Sequence, residues 1–114
     1  METMKREPIA IITSGGGMKC AYSAGALVAL AKELKLTSPD IFVSASGSVG
    51  AMFYYLAGQY DDIEKAWTRY LPSPQFIRYA PFPALRINYM VDTVLKQYLP
   101  LDVEKAEASK TKFL

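Results

Sequence analysis

Two short apolar runs, each cut off by a string of the smallest residues and each followed by helical periodicity, restrict this chain to few folds. The first run, Pro8-Ile9-Ala10-Ile11-Ile12-Thr13, is β-branched and ends in Ser14 and three glycines, the pattern of a buried strand. From Ala21 to Leu34 the period changes. Ala24, Leu27, Ala31 and Leu34 share one helical face, with Leu30 beside them. The second run, Ile41-Phe42-Val43, follows Pro39-Asp40 and stops in Ser44-Ala45-Ser46-Gly47-Ser48. Val49, Met52, Phe53 and Leu56 then recur at helical spacing as far as Gly58, which suits a helix end. Two buried strands joined by a helix are parallel with a right-handed crossover, so the predicted class is α/β.

Further along, Ile63, Ala66, Trp67, Tyr70 and Leu71 form the apolar side of a charged helix. Asp61 and Asp62 suit the positive end of its dipole, and Asp61 is expected to pair with Lys65. Residues 72–87 carry four prolines and no clear period, so an irregular connection is expected there. Asn88 is placed to cap a helix with the apolar face Val91, Val94, Leu95 and Tyr98, which Pro100 ends. A short polar helix around Asp102 to Ala108 is weakly signalled. Lys112-Phe113-Leu114 reads as the onset of a third strand, so the chain is expected to be the N-terminal part of a longer domain.

Composition narrows the chemistry. A chain of 114 residues that is 51% hydrophobic and 21% charged is globular, and by surface scaling buries roughly 65% of its unfolded surface in one domain. A net charge of +2 is too small to argue for nucleic acid or for strong attraction to anionic lipid. One cysteine excludes an internal disulfide and points to the reducing cytosol. The apolar run after Lys5 and Arg6 is too short for a signal peptide, and no stretch approaches a membrane span. The chain has no histidine. A Ser-His-Asp or Cys-His catalyst cannot be completed within it, so acid–base work falls to a carboxylate, a lysine, a tyrosine or another chain.

Two turns are fit for chemistry. In Ser14-Gly15-Gly16-Gly17-Met18-Lys19-Cys20, between strand and helix, glycines let backbone N–H groups approach a ligand. The helix start adds unpaired donors. Such a loop suits a phosphate or the oxyanion of a tetrahedral acyl intermediate; the plainer reading is a tight strand-to-helix turn. Nucleotide motifs fail on spacing. A P-loop would need a glycine where Cys20 or Ala21 stands, and a dinucleotide fingerprint would need one at Cys20 and an acidic residue after the second strand.

The second turn, Ser46-Gly47-Ser48-Val49-Gly50, also joins strand to helix. That is the setting of a nucleophile elbow, with the serine hydroxyl exposed above the sheet edge and small residues two before and two after. Ser48 is the expected nucleophile, with Ser46 and Gly50 as its small neighbours; a plain helix N-cap is the alternative. Adjacent parallel strands bring both turns to the carboxyl edge of the sheet, where α/β sites form.

At these residues the chain resembles the patatin-like phospholipase family. The family pattern G-G-G-x-[KR]-G is matched by Gly15 to Cys20 except at the last position, and Ala21-Tyr22-Ser23-Ala24-Gly25-Ala26-Leu27 resembles the helix that follows it. The family elbow, D-x-x-x-G-x-S-x-G-A, resembles Asp40 through Ala51, with a slightly longer strand and Ser46 in place of glycine. A looser likeness runs from Asn88 to Leu114.

The resemblance implies a three-layer α/β/α hydrolase with a mainly parallel sheet and a Ser-Asp dyad, needing no metal or cofactor. Ser48 would attack an ester carbonyl of a phospholipid or other acyl lipid. Gly15, Gly16, Gly17 and Met18 would hold the oxyanion. Read from the residues alone, Lys19 either offers positive charge beside that loop or is a plain solvated lysine. A cytoplasmic enzyme in peripheral contact with a membrane, and with no nucleic-acid partner, goes with that substrate. The family aspartate lies in a D-G-[GA] motif beyond the elbow. None of Asp40, Asp61, Asp62, Asp92 and Asp102 precedes a glycine, so the chain alone is expected to be inactive or nearly so.

Cys20 is expected to pack as a small hydrophobe. Phe76, Tyr79 and Phe82 with Arg78 and Arg86 suggest a lipid-facing lid, although ordinary loop packing explains them better. Two other functions stay open: a non-catalytic acyl-lipid or anion-binding module, and an acyl-carrier transacylase of related fold. Fluorophosphonate labelling separates enzyme from binder, and the transacylase needs a histidine that this chain lacks.

Overall fold

The computed structural model describes residues 7–78 and 84–114. The two apolar runs form strands β1 (Ala10–Thr13) and β2 (Ile41–Ser44), paired in parallel with Ile11 beside Phe42. The expected third strand is also present. β5 (Lys112–Phe113) pairs in parallel with the other side of β2, and Phe42 faces Phe113. The sheet order β1-β2-β5 makes both crossovers step in the same direction. Right-handed crossovers of that kind place their helices on one face.

Burial agrees with that rule. Ile11 and Phe42 are buried, whereas Ile12 on the other face of β1 is 75% exposed and Leu114 is 81% exposed. The described residues therefore build two layers, sheet and helices, and the third layer implied by the family resemblance is not among them. The class is α/β, as the strand–helix alternation predicts.

Helix α1 (Cys20–Lys32) is entered through a tight 3-10 turn, Gly17–Lys19. Its buried face is Cys20, Ala24, Leu27 and Ala31. Leu34 does not join that face. The helix stops at Lys32, Lys35 takes a left-handed φ of 57°, and Leu34 is left 72% exposed. Helix α2 (Ser48–Leu56) is central and buried on almost every side. Tyr54 and Tyr55 lie in the core with satisfied hydroxyls. Tyr54 donates to the Leu99 carbonyl at 2.7 Å, Tyr55 donates to the Leu36 carbonyl, and Phe42 meets the Tyr55 ring edge-on. Helix α3 (Tyr60–Lys65) runs on into wider π-type turns over Ala66–Tyr70. Asp61 pairs with Lys32 of α1 and not with Lys65 as expected, tying the two helices at the surface.

Within residues 72–87, expected to be irregular, β3 (Ile77–Arg78) and β4 (Ala84–Leu85) form a small antiparallel pair. Phe76 before it is fully buried, a packing role and not an exposed lid; Tyr79 and Phe82 lie outside the described residues. The helix after Asn88 is a π-helix, Tyr89–Tyr98, and Asn88 makes no side-chain cap. Its wider turn, seen in the Leu99 N–H bonded to the Val94 carbonyl five residues back, rotates the apolar face. Met90 and Val94 are buried, while Val91 and Tyr98, expected on that face, are partly exposed. Helix α4 (Val103–Glu107) is capped by Asp102, whose carboxylate accepts from the Lys105 N–H. Among the described residues no helix is long and apolar enough to cross a membrane.

Candidate functional site

The parallel pairing of β1 and β2 brings the ends of both strands together, and a Thr13 to Ser44 hydroxyl hydrogen bond of 2.8 Å ties them. The chain leaves β1 into the triple-glycine loop and β2 into the serine turn, so the two turns touch. A Cβ added at Gly15 would lie 2.9 Å from the Ser46 Cβ and 3.6 Å from its Oγ. One added at Gly47 would meet the Cys20 sulfur at 3.1 Å and the Gly17 carbonyl at 3.6 Å. Gly15 and Gly47 are needed as glycines for this close approach. Gly16 and Gly17 have φ of 144° and 61°, conformations that side chains disfavour. Cys20, 1% exposed, packs against the turn as expected.

Ser48 does not stand where the elbow reading put it. It is the first residue of α2, is 1% exposed, and its hydroxyl donates inward to the Ser14 carbonyl at 2.8 Å. The hydroxyl expected to stand exposed above the sheet edge is instead buried, and it fastens the glycine loop to the start of α2.

Ser46 has the properties expected of Ser48. It is exposed, follows the end of β2 by two residues, and takes a left-handed φ of 53°. That conformation costs an L-residue about 1–2 kcal/mol, the kind of strain that concentrates at functional turns. Its carbonyl accepts the N–H of Val49 at 3.1 Å, at the start of α2. The signal for Ser46 was present in the sequence. Reading the elbow two residues earlier puts Ser44 and Ser48 at the small positions flanking Ser46.

Of the other site residues, Met18 is half-buried, Lys19 is exposed, and Gly50 is buried within the wall beneath Ser46. A cavity of about 550 Å³ between α2 and the π-helix is lined by Ser46, Val49, Gly50, Phe53, Met90, Val91, Leu95 and Leu101 among others. Lys96 stands at its edge, its ammonium 3.2 Å from Asp92. A polar hollow of about 720 Å³ containing Arg86, Asn88 and Asp92 lies across Ile87, without Ser46 or the glycine loop. Among the described residues no cluster of His, Cys, Asp and Glu is suited to a metal. No family model, no curated protein and no solved structure matches the chain.

Proposed function

We propose that this chain carries the nucleophile and the oxyanion site of a serine acyl hydrolase acting on lipid esters, with Ser46 as the nucleophile. The observation that carries this reading is the exposed Ser46 hydroxyl on a left-handed turn, packed against Gly15 of a glycine loop. Ser46 Oγ would attack the ester carbonyl, and loop amides from Gly15 to Met18 would receive the oxyanion. Each such donor typically contributes about 2.7–4 kcal/mol to the transition state. The resemblance to patatin-like phospholipases supports the same chemistry, with Ser46 in place of Ser48.

A base is needed to take the Ser46 proton. The described residues lining the cavity at Ser46 include no carboxylate, and the chain has no histidine. The reading therefore keeps a dyad aspartate outside this chain and expects little turnover from it alone. A cytoplasmic location with peripheral membrane contact goes with a lipid ester substrate. Phosphonylation tests the reading, because positioning and oxyanion donors accelerate attack even without the base. Incubation with excess ethyl fluorophosphonate, followed by tandem mass spectrometry, should find one adduct, on Ser46. An unmodified chain would favour a binding module, and an adduct spread over exposed serines would remove the enzymatic reading.

A further inference from the structure

We infer that Ser48 is a positioning residue, whose hydroxyl fixes the Ser14–Gly15 peptide so that the Gly15 N–H faces outward as an oxyanion donor; this rests on Ser46 being the nucleophile. The Ser14 carbonyl receives two buried donors, the Ser48 hydroxyl at 2.8 Å and the Cys20 thiol at 3.8 Å. Both side chains are 1% exposed, so the carbonyl is held toward the interior. In a planar trans peptide the carbonyl and the N–H that follows it point in opposite directions. The Gly15 N–H is therefore turned away from the interior, and Gly15 is exposed.

Position joins that amide to Ser46. A Cβ built on Gly15 lies 3.6 Å from Ser46 Oγ, and the amide nitrogen is bonded to the same Cα. Among the described residues the Gly15 N–H has no hydrogen-bond acceptor. The peptide also needs an outside hold, because glycine lets the backbone take many orientations at little steric cost. A thiol is a weak donor, which leaves the Ser48 hydroxyl as the group that fixes the plane.

The rate of phosphonylation by ethyl fluorophosphonate, measured on folded whole chain, tests this. Attack forms a bond from Ser46 Oγ to phosphorus and releases fluoride, the hydroxyl proton passing to water, while the phosphoryl oxygen stands where the oxyanion would. Ser48→Ala should still be modified at Ser46, but at least about tenfold more slowly, toward the 10²–10³-fold cost of one lost donor. Ser48→Thr, which keeps the hydroxyl, should recover most of the rate. Thr111→Ala loses another buried hydroxyl bond, 2.6 Å to the Pro39 carbonyl before β2, and should leave the rate as it is. With isotope-labelled glycine, the Gly15 amide proton should move downfield when the unaltered chain is phosphonylated and stay in place in Ser48→Ala. An unchanged rate in Ser48→Ala, or an equal loss in Thr111→Ala, overturns the positioning role. Where Ser46 of the unaltered chain stays unmodified, the nucleophile reading fails separately. The residual dipolar coupling of the Gly15 N–H then decides the orientation: a value changed by Ser48→Ala supports the hold, and an unchanged value overturns it.

Discussion

Replacing Ser48 by alanine separates a strut from a nucleophile. The side chain is 1% exposed and its hydroxyl makes one hydrogen bond, 2.8 Å to the Ser14 carbonyl across 34 positions of sequence. Removing it strips the carbonyl of that donor, leaving the Cys20 thiol at 3.8 Å as a weak substitute. A lost hydrogen bond costs about 0.5–1.5 kcal/mol where its acceptor can still reach water. Ser14 is exposed and the thiol remains nearby, so Ser48→Ala should cost about 0.5–1.5 kcal/mol. For a domain of this size that lowers the melting temperature by roughly 4 °C per kcal/mol. Urea unfolding followed by circular dichroism should show a lower midpoint at an unchanged slope, while the folded variant still takes up phosphonate. Unaltered stability together with lost labelling would make Ser48 the reactive group and not a strut.

Three further perturbations address other parts of the structure. Gly15→Ala places a Cβ 2.9 Å from that of Ser46, so the two turns must separate; phosphonylation should fall about 10²–10³-fold, as for loss of an oxyanion donor, and an unaffected rate would show that the loop takes no part. Ser46→Gly removes the cost of the left-handed φ of 53° and should raise stability by up to about 1 kcal/mol in urea titrations, whereas a loss of stability would mean the hydroxyl is a structural partner. Burial pushes the Tyr55 phenol from 10.0 up to about 12. The native state thus holds that proton more tightly than the unfolded chain, so the contribution is complete below pH 10 and is lost progressively as pH rises through 12. Unfolding midpoints between pH 9 and 12 should fall less steeply in Tyr55→Phe; equal slopes would contradict this.

Much of the fold was legible because apolar spacing encodes it. The strands at Ile11 and Phe42 and the buried face of Ala24, Leu27 and Ala31 all follow from which positions must leave water. The π-helix over Tyr89–Tyr98 was not legible, since no residue type signals a five-residue hydrogen-bond step, and its rotation exchanged Met90 for Val91 in the interior. Asp61 chose Lys32 over Lys65 because the packing of α1 on α3 brought a cation from another helix within reach.

The meeting of the two turns was legible in the sequence, and which of its serines stands exposed was not. Serines at 44, 46 and 48 permit two elbows of equal spacing. Gly47, the residue best suited to a left-handed turn, adopts a helical φ of −62°, and Ser46 takes the positive angle instead. Backbone geometry, which spacing does not record, decides which hydroxyl faces outward.

Phosphonylating the unaltered chain, Ser46→Ala and Ser48→Ala side by side and weighing the intact proteins decides between the two serines. With Ser46 as the nucleophile, one adduct forms on the unaltered chain and on Ser48→Ala, and none on Ser46→Ala. An adduct that survives in Ser46→Ala and disappears in Ser48→Ala would contradict it.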